Sequence, residues 1–334
     1  MTIQGTSIYT SGEGEILPDS TALVLSDSEA LQLICGVHDA NLRILEELFG
    51  APVRVRGNEL TLESSDPTAQ GRFVVLMEEL ERHSRSGQTI DPFLIRGLYR
   101  DISDRSGESL EDMHKQVIEI PAAGTKVFPK TVRQARLFAN LETKELNFFV
   151  GPAGTGKTYI AVAHALREVL AKKKRRLVLT RPVVEAGENL GFLPGDLTQK
   201  ISPYLRPLYD AIEALLPFDV IRRLEEQNII EIAPLAYMRG RSLRDSYVIL
   251  DEAQNTTREQ MKMFLTRLGE NSQAVVTGDI TQIDLPKRSS SGLIHILDVL
   301  RYVEGIGITY LTWEDVVRSA LVRKIIQAYD EYRE

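Results

Sequence analysis

Short apolar runs alternate with polar punctuation over residues 21–90. Residues 22–25 read as a strand, and Ser28 precedes an apolar-periodic stretch to Ile34 that Gly36 ends. Asp39 stands before Leu42, Ile44, Leu45 and Leu48, the spacing of one helical face, and Gly50 closes that helix. Residues 53–56 and 60–62 alternate around Gly57-Asn58, a hairpin signal. Pro67 opens a longer helix to about His83. The predicted order is β-α-α-β-β-α, a small α+β domain over 21–90.

The pattern changes after Pro121, Gly124 and Pro129. Strands are predicted at 146–150, 176–180, 229–233, 246–250, 273–277 and 306–311, with helical stretches between them. Several are continuous apolar runs, as strands buried on both faces of a parallel sheet require. This predicts an α/β domain over 121–334. Residues 91–120 are polar and charged and read as a connector, with helical stretches at 93–99 and 110–116. Residues 1–20, rich in Gly, Ser, Thr and acid, read as a flexible tail.

Composition excludes several classes. The chain has 334 residues, 43% apolar and 26% charged, the balance of a soluble globular protein. One cysteine, Cys35, cannot form an internal disulfide, and the start has neither the basic nor the apolar region of a secretory signal. No run approaches the roughly 20 apolar residues of a membrane span. A cytoplasmic location is expected. The net charge of −7 is uneven: residues 1–118 hold 10 Lys/Arg against 20 Asp/Glu, and the remainder is mildly basic. Two modules with different partners are implied.

The chemistry begins at Gly151-Pro152-Ala153-Gly154-Thr155-Gly156-Lys157-Thr158, which fits G-x-x-x-x-G-K-[ST] between a strand and a helix. Such a loop wraps its N–H groups round a phosphate chain. Lys157 would supply charge to the β- and γ-phosphates, and the Thr158 hydroxyl would ligate Mg²⁺. Asp251 and Glu252 end an apolar strand. An acid there is costly to bury unless it meets a cation or donor. Asp251 suits the metal's water shell, and Glu252 suits polarising the attacking water. Gln282, in Gly278-Asp279-Ile280-Thr281-Gln282 after another strand, suits sensing the γ-phosphate. The reading is Mg²⁺-dependent ATP hydrolysis.

The P-loop, Asp251-Glu252-Ala253-Gln254 and the Gly278–Gln282 stretch together resemble the first RecA-like core of superfamily 1 helicases. The chain is more closely similar to the PhoH-like ATPase family, through residues 150–166, 187–212, 248–269, 277–286 and 315–322. The resemblance implies a RecA-like P-loop NTPase with a parallel sheet, in a cytoplasmic bacterial ATPase linked to phosphate starvation and RNA metabolism. An rRNA-maturing endoribonuclease is an implied partner. Gln134, upstream of the P-loop, looks like the family's adenine-reading glutamine. Residues 34–45 resemble the corresponding stretch of a KH-type RNA-binding fold, but the second glycine of its G-x-x-G turn is Asp39.

One P-loop core lacks the second core that supplies an arginine finger to helicases, and such a finger accelerates hydrolysis by about 10³–10⁵-fold. A homo-oligomeric ring, by resemblance a hexamer, is therefore expected, with Arg318 the first candidate finger and Arg239 and Arg241 the others. Single-stranded RNA contacts are expected from Arg181, Lys200, Tyr204, Arg206, Arg239 and Arg241, which combine cations with an aromatic ring. The alternative is an ATP-gated adaptor that recruits a nuclease or ribosome-associated partner without unwinding. A small-molecule kinase finds no acceptor site. Met261, Met263, Phe264, Leu265 and Trp313 are expected to pack, and the basic run 172–176 to be a solvated helix end.

Overall fold

The computed structural model describes residues 20–25, 28–103, 110–121, 123–183 and 197–317, together with 322, 325 and 328. The chain divides into two units: 1–116 with 128–135, and 117–127 with 136–334.

In the first unit, strands β1 (Thr21–Val24), β2 (Val53–Arg56) and β3 (Glu59–Leu62) form an antiparallel sheet in the order β1-β3-β2. The β2–β3 hairpin turns through Gly57-Asn58 as its sequence predicts. Helices α1 (Ser28–Cys35), α2 (Ala40–Phe49), α3 (Pro67–Arg85) and α4 (Pro92–Ser103) complete the unit. Ile34, Leu45, Leu60, Leu62, Phe73, Leu76 and Leu80 share one core with Leu94, Ile95 and Leu98 of α4. Residues 92–103, read from their polarity as part of a connector, are thus a packed helix of this unit. The rest of that stretch divides, since residues 118–120 belong to the second unit. Between α1 and α2 the chain turns through Gly36, His38 and Asp39, all left-handed (φ 74°, 52° and 58°). Asp39 does not cap α2 with its side chain, because the left-handed turn holds it away from the first helical N–H groups.

The second unit opens with a two-stranded ribbon, β4 (Ile118–Ile120) and β5 (Thr125–Val127), whose Ile118, Ile120 and Val127 enter the core. Helix α5 (Val132–Thr143), whose residues 132–135 fall in the first unit, leads to β6 (Leu146–Val150), α6 (Lys157–Leu170) and β7 (Arg176–Arg181). Then come α7 (Leu197–Glu213), α8 (Phe218–Glu226), β8 (Ile230–Pro234), β9 (Ser246–Leu250) and α9 (Arg258–Leu265). The last elements are β10 (Gln273–Gly278), α10 (Gly292–Val299) and β11 (Ile306–Tyr310). Six strands form one parallel sheet in the order β11-β6-β10-β9-β7-β8. Every residue of β9 is buried, as its unbroken apolar run predicts.

Two apolar layers clothe the sheet. One joins α6, α7 and α8 through Leu166, Leu208, Ile212 and Ile221, and the other joins α9 and α10 through Met261, Phe264, Leu293 and Leu297. Thr257 and Gln260 form the capping box their spacing predicts at the start of α9. Met263 and Leu265 are only partly buried, and Trp313, expected to pack, is 49% exposed. Among the described residues no helix is long and apolar enough to cross a membrane.

Candidate functional site

Parallel α/β sheets place ligand sites beyond the carboxyl ends of their strands. At that end of β6 the chain enters residues 151–156 and then α6. The close approach of β11 explains Gly151: a Cβ there would lie 2.5 Å from the Leu311 carbonyl oxygen. Gly156 is left-handed (φ 83°) and starts α6 at once, so the first N–H groups of the helix remain available to an anion. The Val317 N–H donates to the Gly154 carbonyl (2.8 Å), fixing the loop's far side.

Lys157 curls back under this loop. Its Nζ donates to the carbonyls of Gly151 and Pro152, both at 2.6 Å. Burial pushes its pKa down, and the carboxylates of Asp279, Asp251 and Glu252 oppose that shift. The cation is therefore held among acids and carbonyl dipoles, with α6 behind it.

The carboxyl ends of β9 and β10 complete the cluster. Asp251 Oδ1 accepts from the Thr158 hydroxyl (2.8 Å) and the Thr277 hydroxyl (2.6 Å). Thr158 and Asp251 thus present adjacent oxygens at the start of α6, a hard donor pair suited to magnesium, which keeps most of its waters. Glu252 is left-handed (φ 52°), an outlier for a non-glycine residue of the kind that clusters at functional sites. Its Oε2 accepts from Gln254 Nε2 (2.5 Å), and its Oε1 lies 3.6 Å from Arg181 Nη2. Burial and the neighbouring Asp251 raise its pKa, while Gln254, Arg181 and Lys157 restrain the rise. Gln254 Oε1 in turn accepts from the Asp279 N–H (3.0 Å). Asp279 accepts from Thr281 through Oδ1, whereas its buried Oδ2 has no hydrogen-bond partner, nor has the buried Thr180 hydroxyl.

The structure therefore brings together Lys157, Thr158, Asp251 and Glu252, all predicted from sequence, with Arg181, expected as an RNA contact, and adds Gln254, Thr277 and Asp279. Gln282 is exposed in the turn after β10, its N–H on the Asp279 carbonyl (3.2 Å). Gln134 lies in the first unit, where its side-chain oxygen accepts from the Lys130 N–H (2.8 Å). Arg206 pairs with Asp210 and Glu213 along α7, while Tyr204 is half-buried on the same helix. Arg241 forms a two-pronged pair with Glu231, and Arg239 is exposed on the adjoining turn. Arg318 and the side chain of Lys200 lie outside the described residues.

The family model of PhoH-like proteins matches residues 126–330, more than half of the chain. The chain belongs to the PhoH-like family. A PhoH-like protein of Mycobacterium tuberculosis (strain ATCC 25618 / H37Rv) is 46% identical over 303 residues, covering 90% of this chain and 85% of the relative. A PhoH-like protein of Bacillus subtilis (strain 168) is 45% identical over 309 residues, 91% of this chain and 94% of the relative. Protein PhoH of Escherichia coli (strain K12) is 46% identical over 205 residues, 61% of this chain and 58% of the relative. The family match spans the loop at 151–158 and the carboxyl ends of β9 and β10, so the polar cluster lies within the part of the chain that defines PhoH-like membership. The first unit falls mostly outside that match, and its residues 34–45 carry the separate resemblance to a KH-type fold.

Proposed function

We propose that this PhoH-like chain is a Mg²⁺-dependent ATPase that couples hydrolysis to binding and remodelling single-stranded RNA in the bacterial cytoplasm. One observation carries the reading: Thr158, Asp251 and Thr277 are hydrogen-bonded together beside a lysine folded under a glycine loop, with Glu252 next in the chain. ATP phosphates fit the N–H groups of residues 151–158, and Lys157 would exchange its carbonyl contacts for their β- and γ-oxygens. Bound Mg²⁺ would supply charge neutralisation on those oxygens, held by Thr158 and, through water, by Asp251. Glu252 would orient and polarise the attacking water, a task its raised pKa suits. Gln282 would reach the γ-phosphate.

RNA would follow the β7 end of the sheet, using Arg181, Lys200, Tyr204, Arg206 and Arg239. A ring of copies, six by family resemblance, would let Arg318 or Arg239 of one copy complete the site of the next. Phosphate release with and without poly(U), beside sedimentation of the ATP-bound protein, tests both parts. The ATPase reading predicts hydrolysis that Glu252→Gln abolishes. A stable monomer with concentration-independent turnover rules out the ring.

A second reading has support in the pairing of Arg206 and Arg241 with acids, which withdraws two cations from the RNA set. In that reading ATP gates a surface that recruits a nuclease, such as an rRNA-maturing endoribonuclease, without unwinding. RNA that leaves turnover unchanged, while Glu252→Gln traps a protein partner, decides for it.

A further inference from the structure

Four arginines carried by the described residues were expected to face nucleic acid, and their surroundings differ. Arg241 meets Glu231 fork to fork, and Arg206 is held by two acids of its own helix. Arg239 is exposed, and among the described residues no acid pairs with it. Arg181 alone touches the catalytic cluster. It is the last residue of β7, and one terminal nitrogen lies 3.6 Å from Glu252 Oε1. That separation exceeds the roughly 2.7–3.2 Å of a direct hydrogen bond, so charge attraction holds the pair, not a bonded fork. Its side chains are 21% and 37% exposed, so solvent reaches both.

The other carboxylate oxygen of Glu252 is held differently. Gln254 donates to Oε2 at 2.5 Å and is itself fixed by the Asp279 N–H. Glu252 thus has one firm tether and one loose one, and the loose partner is a cation at the strand end where the proposed RNA path begins. A phosphodiester offers a guanidinium two oxygens in matching geometry, which a single contact at 3.6 Å does not.

We propose that Arg181 is a positioning residue that restrains Glu252 until a polynucleotide phosphate takes over its guanidinium, so that strand binding frees the carboxylate to polarise water. The proposal rests on the ATPase and RNA-binding reading above and assigns the means by which the two are coupled. No bond to Glu252 is made or broken. The carboxylate keeps its Gln254 tether and turns about it once the opposing charge has been drawn away.

The test compares wild type, Arg181→Gln, Arg181→Lys and Glu252→Gln as full-length proteins. Turnover is measured against ATP concentration with and without poly(U), and binding of a fluorescent oligo(U) is followed across a salt series. Arg181→Gln is expected to raise basal kcat severalfold, leave KM for ATP within about twofold, and lose further stimulation by poly(U). Its log affinity for oligo(U) should fall less steeply with log salt, by about one phosphate contact. Arg181→Lys keeps the charge but not the fork, and should recover low basal turnover with partial stimulation. An Arg181→Gln protein with lowered basal kcat and wild-type stimulation overturns the proposal, as does an unchanged salt slope. In both cases the wild type still binds oligo(U) and responds to it, so the ATPase and RNA reading stands. A wild type that hydrolyses ATP but binds no oligo(U) overturns the RNA reading and the proposal together. One that hydrolyses no ATP overturns the ATPase reading.

Discussion

The two ends of the parallel sheet both bury polar side chains, and they do so differently. At the amino end, the fully buried Tyr247 hydroxyl pairs with His164 Nδ1 (2.9 Å), His164 Nε2 meets Arg167 (2.7 Å), and Arg167 reaches Glu142 and Glu168. Lys173 adds to Glu168, and Lys174 holds Asn271. Each group named there has a partner within the protein. At the carboxyl end, Asp279 Oδ2 and the Thr180 hydroxyl are buried without hydrogen bonds, Lys157 rests on carbonyls, and Glu252 adopts a left-handed backbone. Buried polar groups ordinarily find partners. The Tyr247–His164–Arg167 network satisfies that rule internally, though the Asn147 side-chain oxygen near the start of β6 is also unpaired, whereas the carboxyl end gathers its unpaired Asp279 and Thr180 oxygens beside Lys157 and Glu252.

The sharpest way to break this contrast is to remove the carboxyl-end groups to which the proposed function gives a role. Lys157→Ala should abolish ATP hydrolysis, a loss of at least about 10²-fold, with folding retained by circular dichroism. Glu252→Gln should lower kcat by about 10²–10⁴-fold while ATP still binds, read by single-turnover phosphate release. If either variant kept wild-type turnover, the carboxyl end would be a structural cluster like its counterpart.

Next come changes read chiefly through stability. Gly151→Ala drives a methyl into the Leu311 carbonyl and should cost about 1–3 kcal/mol, lowering Tm by several degrees. Tyr247→Phe leaves a buried imidazole nitrogen unpaired and should cost about 1–2 kcal/mol with kcat unchanged. A fall in kcat would show that the two ends are coupled.

A smaller effect is expected from pH. His164 and Arg167 hold the Glu142 carboxyl at about 2, below its ordinary 4.5, and burial lowers the His164 pKa. Both shifts mean that the folded state binds fewer protons than the unfolded chain. Stability therefore falls as pH drops, first below the ordinary histidine range and then from about 4.5 towards 2. Glu142→Gln should flatten the lower part of a Tm-against-pH curve.

Much of this was legible in the sequence. The six strands of the parallel sheet are apolar runs that the model places within a residue or two of their predicted positions, and the loop at 151–158 has a pattern tied to its backbone geometry. Burial of single elements was less legible. The polar face of α4 hid its packed Leu94 and Leu98, and the three-residue strands β4 and β5 are too short for their alternation to register. Within the site, Lys157 and Asp251 announce themselves. Thr277 and Gln254 do not, because their roles depend on β9 and β10 lying side by side in register, information that no local window contains.

The position of β6 in the sheet has a consequence for how the protein is made. Its neighbours are β10 and β11, so the strand that launches the phosphate loop pairs only with segments more than 120 residues further along the chain. A ribosome releases residues at about 5–20 per second, so β6 and its loop emerge several seconds before either neighbour. The Gly154–Val317 contact closes later still. The nascent chain thus carries the loop at 151–156 unfinished until residue 317 has been made, and a message truncated before residue 306 yields a product without the strand against which that loop is set.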